Sequence, residues 1–267
     1  MNITIGKTFA VSEKGGRQNN EDAIYPQPEK VLINDRLFLV CDGVGGAERG
    51  EIASALACES IRSYFNTYLT EGNPSEEFIL RAIRYTETQF DNYIAANPEA
   101  AGMATTLTLV YLGTKGVTMA HIGDSRIYYY RGKSILHKTT DHSLVNSLVQ
   151  MGRISEKEAE THPQRNVILR AIQGSNYPTE ADVTLWTDVK AGDRIFMCTD
   201  GVLECFTNES LLESTSHCSA TMKDLLLEKC TGNTRDNFSF YILPIQRVQT
   251  THSLTQNIRA FFYSLVY

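Results

Sequence analysis

Phe38-Leu39-Val40-Cys41-Asp42-Gly43-Val44-Gly45-Gly46-Ala47-Glu48-Arg49-Gly50-Glu51-Ile52-Ala53-Ser54 sets the reading of the chain. Its first four residues are apolar, the pattern of a buried strand, and the run breaks at Asp42-Gly43. Gly43, Gly45 and Gly46 let the backbone turn sharply and lie close to a neighbour, and a helical pattern starts after Gly50. A carboxylate at the end of a buried strand, followed by a glycine carbonyl, makes a pair of hard oxygen ligands. Two other readings of a Gly-rich strand-to-helix turn fail on residue identity. A P-loop would end in Gly-Lys-Ser/Thr where this stretch has Arg49-Gly50-Glu51, and a dinucleotide fingerprint would need glycine where Glu48 stands. An ordinary Asp-Gly turn stays open on these residues alone.

Further along, the same architecture returns. Asp193-Arg194-Ile195-Phe196-Met197-Cys198-Thr199-Asp200-Gly201 is again a buried strand that ends in Asp-Gly and enters a helix. Gly123-Asp124-Ser125-Arg126 separates the strands Val117–Ile122 and Ile127–Tyr130, and Asp236-Asn237 precedes the strand Phe238–Pro244. Asp42, Asp124, Asp200 and Asp236 thus each hold a strand terminus beside glycine or asparagine. Singly, each reads as a turn-forming aspartate. Strand ends along one sheet edge lie close together, so the four are expected to converge. At ~4 Å and an effective dielectric of ~20, each pair of carboxylates costs about 4 kcal/mol, and such a cluster persists only with cations. Carboxylates, a carbonyl and water suit Mg²⁺ or Mn²⁺ rather than zinc. A pair of such ions clamps a phosphoryl group and activates the attacking water. The polar run Arg17-Gln18-Asn19-Asn20-Glu21-Asp22 would ordinarily be a solvated loop. It also offers an arginine for a phosphate oxygen and two carboxylates to order water at a metal.

The remaining chain frames these residues. Residues 3–11 read as a strand. Residues 50–69 read as a helix with Ile52, Leu56, Ile61 and Phe65 on one stripe. After Gly72-Asn73-Pro74, Ser75 caps a second helix that runs to about Ala96, with Glu76 and Glu77 suited to its first turn. Two long helices in succession predict a layer on one face of a sheet. Ala104–Leu112, Val117–Ile122 and Ile127–Tyr130, joined by tight turns, predict an antiparallel meander. Residues 141–175 are polar and broken, with short helices at Leu144–Met151 and about Ser155–Glu160, and read as a flap over the surface. Ala181–Trp186 is a strand, and short helices cover about Asn208–Thr215 and Met222–Lys229. His121, His142 and His162 lack H-x-x-x-H spacing, so structural roles are expected for them.

A length of 267 residues, 42% hydrophobic and 21% charged, suits a globular fold with a sizeable core. The net charge of −6 and the lack of a basic stripe argue against nucleic acid as a partner. Six cysteines include no C-x-x-C pair and read as small buried hydrophobes in a reducing compartment. With no N-terminal apolar segment and no long apolar run, the expected location is cytoplasmic, without membrane insertion.

On these residues the chain resembles the metal-dependent protein serine/threonine phosphatases (the PPM, or type 2C, family) in their bacterial form. The matching segments are Arg17-x-x-Asn20-Glu21-Asp22, Asp42-Gly43-Val44-Gly45-Gly46 with Gly50-Glu51-x-Ala53-Ser54, Met103-Ala104-Thr105-Thr106 and Gly123-Asp124-Ser125-Arg126. Thr140-Asp141-His142-Ser143, His162-Pro163-x-Arg165-Asn166, Thr199-Asp200-Gly201 and Asp236-Asn237 complete the set. The eight run in family order across about residues 3–245. The resemblance implies an α+β fold, an α-β-β-α four-layer sandwich of two antiparallel sheets flanked by antiparallel helix pairs, with a dinuclear site in a cleft at one end. Asp42 would bridge two Mn²⁺ or Mg²⁺ ions, the Gly43 carbonyl would bind the first, and Asp200 and Asp236 the second. Asp124, with Asp200, would hold a third, weaker ion. Arg17 would bind the substrate phosphate, supported by Glu21 and Asp22. Val44 stands where some relatives carry a candidate general-acid histidine, so the leaving seryl oxygen takes its proton from water at the metals or from another group.

The resemblance further implies phosphoprotein substrates, including a Ser/Thr kinase or its targets. A binding module that has lost catalysis would lack a metal aspartate or Arg17, and all are present. A metal-dependent phosphodiesterase or nuclease is disfavoured by the negative charge. The phosphatase domain is expected to span residues 1–246. In the tail, 247–267, Leu254, Ile258, Phe261, Phe262 and Leu265 would form an apolar helical stripe capped by Ser253. That stripe would dock on this domain or on a partner protein; with Arg259 its only basic residue, it lacks the charge for anionic lipid.

Overall fold

Alternation along the strand Leu37–Val44 (β4) builds the layers. Phe38 and Val40 face a core shared with Met119, Tyr129, Ile195, Met197, Tyr241 and Leu243. Leu39 and Cys41 face the opposite way, toward Ala57, Ile61, Phe65, Ile83 and Phe90. Both faces are apolar because both are covered, as the period of two along a strand requires. The computed structural model describes residues 1–44, 49–214 and 217–249, and the statements that follow concern those residues. Among them are two antiparallel six-stranded sheets. The first has the order β1-β12-β11-β8-β9, with β2 also on β12: Asn2–Ile5 (β1), Phe9–Glu13 (β2), Arg126–Arg131 (β8), Ser134–Lys138 (β9), Asp193–Cys198 (β11) and Phe238–Gln249 (β12). The second has the order β10-β7-β6-β4-β3, with β5 on β4: Asp22–Tyr25 (β3), Ala104–Thr105 (β5), Leu107–Leu112 (β6), Val117–Ile122 (β7) and Asp182–Trp186 (β10).

The helices Gly50–Tyr68 (α1) and Glu76–Ala96 (α2) cover the second sheet. Ser75 caps α2 by accepting from Phe78 N–H. The flap helices are Leu144–Gln150 (α3) and Glu156–Glu160 (α4), capped by Ser143 and Ser155 as their polar starts require. On the outer face of the first sheet, Phe196, Cys198, Phe240 and Ile242 meet Leu211, Met222 and Leu226. These last belong to Asn208–Ser214 (α6) and Ser219–Cys230 (α7), which follow the short helix Asp200–Leu203 (α5). The result is the four-layer α-β-β-α sandwich.

Four expectations change. Residues 3–11 are two strands, β1 and β2, separated at Gly6–Thr8. β3 and β9 are strands that periodicity alone did not mark. β12 runs to Gln249, because Asn2 to Ile5 of β1 pair with Gln249 to Ile245 and carry it past Pro244. The meander does not stay in one sheet. β6 and β7 pair with each other, whereas β8 pairs with β11 and β9, so Gly123-Asp124-Ser125 carries the chain from one sheet to the other. The aspartates therefore gather where the ends of the two sheets meet, not along one sheet edge. Gly45, Gly46, Ala47 and Glu48 and the apolar stripe of 254–265 lie outside the described residues.

Candidate active site

Asp42 ends β4 with its backbone held on both sides. Its N–H donates to Thr106 Oγ1 at 3.0 Å, and its carbonyl accepts from Thr105 Oγ1 and Thr106 N–H, each at 2.8 Å. Thr106 Oγ1 also meets Ser125 Oγ at 2.9 Å, which ties the Asp42 strand to the turn that carries Asp124. Gly43 follows in a space no side chain could share: a Cβ there would lie 2.1 Å from Gly50 O and 2.7 Å from Glu21 O. Gly43 N–H donates to Glu21 O at 3.0 Å, and Ser54 Oγ donates to the same carbonyl at 2.6 Å. The Gly50–Ser54 start of α1 thus clamps Gly43 and Glu21 together. Asp22 pairs with Asp42 across β3 and β4. It is buried; its Oδ2 accepts from Thr199 Oγ1 at 3.0 Å, while Oδ1 has no hydrogen-bond partner among the described residues. From the other sheet come Asp200, at the start of α5, and Asp236, just before β12. Arg17 donates to Asp236 Oδ2 at 2.7 Å.

The electrostatics show what this convergence costs. Burial and then the charge of Asp22, Asp200 and Asp124 push the Asp42 carboxyl well above the usual carboxylate range. Burial and the charge of Asp200 raise Asp124 to about 8. Burial raises Asp22 to about 7 against the hydrogen bond from Thr199. Burial and Asp236 raise Asp200 to about 6, against a hydrogen bond shared with Asp42. Carboxylates that raise one another in this way lack positive charge. Arg17 meets only one of them, Asp236, and its own pKa rises through that bond. Divalent cations with oxygen ligands fit the donor set, and the unpartnered Asp22 Oδ1 fits a group ordering their water.

Sequence reading named Asp42, Gly43, Asp124, Asp200, Asp236, Arg17, Glu21 and Asp22, and the structure brings all eight to one end of the sandwich. It also shows positioning groups that the sequence reading had not singled out for a role: Thr105, Thr106, Ser125, Thr199 and Asn237, all buried. Thr105 and Thr106 were signalled as polar residues within an apolar strand pattern, whereas Ser125, Thr199 and Asn237 lie outside the strands and read as turn or cap residues. The flap starts beside the site, where Arg126 forms a two-pronged ion pair with Asp141 at 2.7 and 2.6 Å.

His121 and His142 stack at 4.5 Å, and their ring nitrogens with an Asp182 oxygen lie within 4.8 Å of one another, a spacing that could hold a metal. Hydrogen bonds assign the trio differently. Gly123 N–H donates to His142 Nδ1 at 3.2 Å, so the neutral ring keeps its proton on Nε2, which faces Asp182 Oδ2 at 3.2 Å. To bind a metal, His142 would have to give up its bond from Gly123 or its Nε2 proton, and Arg170 Nη1 lies 3.3 Å from that Nε2 as well. Arg170 sits 2.9 Å from Asp182 Oδ1, adding positive charge. The trio links β7, β10 and the flap. His162 Nδ1 accepts from Gln164 N–H within its own turn, and His121 Nε2 meets Thr140 O at 2.9 Å, while the buried His121 Nδ1 has no hydrogen-bond partner among the described residues.

The family model for protein phosphatase 2C matches residues 12–229. The serine/threonine protein phosphatase PstP of Mycobacterium tuberculosis is 33% identical over 217 residues, 79% of this chain and 39% of PstP. The chain therefore spans well under half the length of that relative. A crystal structure of M. tuberculosis PstP superposes with a TM-score of 0.80 at 29% identity, covering 92% of this chain and 100% of that one. The PstP catalytic domain in complex with two manganese ions gives 0.77 at 28% identity, covering 92% and 100%. A two-sheet sandwich, an aspartate cluster where the sheets meet and a match across most of the length lead to one assignment: the chain belongs to the protein phosphatase 2C family.

Proposed function

We propose that this chain hydrolyses phosphoserine and phosphothreonine in proteins with two Mn²⁺ or Mg²⁺ ions. The observation that carries the reading is the convergence of Asp42, Asp124 and Asp200, whose carboxyls all stand above their usual range. Asp42 would bridge the two ions with the Gly43 carbonyl on the first. Asp200 and Asp236 would hold the second, and Asp124 with Asp200 a third, weaker one. Bound there, the ions supply Lewis acidity and a water activated at neutral pH. This chain's own residues do the rest. Arg17 takes phosphate oxygens through the planar fork of its guanidinium; its bond to Asp236 uses one nitrogen and leaves donors for the substrate. Asp22 and Glu21 orient water, Asp22 from a position fixed by Thr199. Val44 has no acidic proton, so the leaving oxygen would take its proton from water at the metals or from another group at the cleft.

Substrates would be phosphoproteins, including a Ser/Thr kinase or its targets. No described helix is long and apolar enough to cross a membrane, and the cysteines are free, with Cys41, Cys58, Cys198 and Cys230 buried. A cytoplasmic location is proposed from the buried, free cysteines. The catalytic domain, expected to end at residue 246, would extend with β12 to Gln249, and the tail beyond it would dock on it or on a partner.

The test is phosphate release from a phosphothreonine peptide with and without Mn²⁺. Activity that survives excess chelator overturns the proposal.

A further inference from the structure

Asn237 follows Asp236 at the start of β12 and is 4% exposed. A buried amide has two N–H donors and one carbonyl acceptor to satisfy, and Asn237 spends all three on a single loop. Its Oδ1 accepts from Glu21 N–H at 2.8 Å, and its Nδ2 donates to Lys14 O at 2.8 Å and to Asn19 O at 2.7 Å. The orientation is unambiguous, because backbone carbonyls only accept and an N–H only donates. The three bonds bracket Arg17 from both sides, and Lys14 O accepts from Arg17 N–H as well, at 3.1 Å.

The packing makes the same connection. Gly15 adopts φ of +54°, and a Cβ there would lie 2.0 Å from Asp236 O; at Gly16 it would lie 2.9 Å from Thr234 O. The loop thus rests directly on residues 234–237. On the other side, a Cβ on Gly201 would lie 1.9 Å from Asn237 O, so the segment is held between the Arg17 loop and the start of α5. The Arg17 side chain is itself half exposed, and its position depends on where this backbone is fixed.

We infer that Asn237 is the positioning residue that sets Arg17 in register with the aspartate cluster, so that phosphate affinity depends on an amide that never touches phosphate. This rests on the reading of Arg17 as the phosphate-binding residue. The backbone bond from Asn237 N–H to Asp236 Oδ1, 2.8 Å, survives any side-chain change, so Asp236 keeps its local anchor.

The experiment uses the full chain with Mn²⁺, inorganic phosphate as competitive inhibitor and a phosphothreonine peptide as substrate. Asn237→Ala should raise the phosphate Ki and the peptide KM about ten- to a hundredfold, the effect of losing a charge-assisted hydrogen bond to phosphate. Mn²⁺ affinity by calorimetry should match the wild type. Arg17→Ala should raise Ki similarly, and adding Asn237→Ala to it should raise Ki no further, since both remove one interaction. Effects that multiply in the double variant, or an unchanged Ki in Asn237→Ala, overturn the inference. An unchanged Ki in Arg17→Ala overturns the reading of Arg17 and the inference with it. Should Asn237→Ala fail to fold, Gly16→Ala displaces the same loop with the amide intact. It should reproduce the phosphate defect, and a folded Gly16→Ala with wild-type Ki overturns the inference.

Discussion

Chelating the metal should leave a protein whose stability falls as pH rises through neutrality. The cause is the set of raised carboxyls. Asp200 moves from 3.8 to about 6, Asp22 to about 7 and Asp124 to about 8. Between about pH 4 and those values the folded chain holds protons that the unfolded chain has released. Proton uptake is then greater in the native state, and stability falls with rising pH. Below about pH 4 both states are protonated and this penalty is absent. Above about pH 8 it is complete. The shift of Asp200 alone corresponds to about 3 kcal/mol. The other shifts share the same repulsion, so they are not summed. For a domain of this size about 3 kcal/mol moves Tm by roughly 6–12 °C. Acidic groups held low by arginine, such as Asp193 beside Arg131, act in the opposite sense only as pH drops toward their own range. His137 and His142, whose pKa burial lowers, add stability as pH rises through about 6.5, so the cluster is read from the difference between wild type and Asp200→Asn over pH 5 to 8. Calorimetric melting in chelator should show the decline, and Mn²⁺ at about 100 times Kd should add about 2.7 kcal/mol at pH 8. Asp200→Asn should flatten the chelated profile by removing one member of the cluster. A chelated wild-type profile that has the same pH dependence as that of Asp200→Asn refutes the electrostatic account of the site.

Three more outcomes are expected. Asp124→Ala should lower turnover while calorimetry still finds the two tighter Mn²⁺ sites; loss of a tight site would show that Asp124 is misassigned. Gly43→Ala should be destabilised by about 1–3 kcal/mol through overpacking and lose most of its activity, because the new Cβ would lie 2.1 Å from Gly50 O; normal melting and turnover would contradict the clamp described here. Ile61→Ala, in the core between α1 and the second sheet, should cost about 2–5 kcal/mol in urea unfolding yet leave KM unchanged in the folded protein.

Local chemistry was the legible part of this sequence. Ser75 followed by Glu76 and Glu77 marked the start of α2, and the apolar run ending at Asp42 marked β4; both depend on residues a few positions apart. The partition into sheets depends on distant pairing. Nothing in Gly123-Asp124-Ser125 distinguishes a hairpin within one sheet from a crossing between two, and the crossing is decided by β8 meeting β11. β9, Ser134–Lys138, was missed because its side chains are only partly buried and leave little alternation. β3 was missed because Asp22, a polar residue, starts it and is buried through its bond from Thr199. The site residues were readable as strand-end carboxylates. Their setting against Arg17 was not, since Asn237 reads as a turn asparagine until its three partners are seen.

The central claim is that a gathered set of aspartates in this chain serves metal-dependent hydrolysis of phosphorylated serine and threonine. Initial rates of phosphate release from one phosphothreonine peptide, measured with Mn²⁺, with excess chelator and after Mn²⁺ is restored, test it most directly. A matched phosphotyrosine peptide and a cyclic dinucleotide serve as controls. The account predicts turnover of the phosphothreonine peptide that disappears with chelator and returns with Mn²⁺, with little on either control. Equal turnover in chelator, or preference for the cyclic dinucleotide, would contradict it.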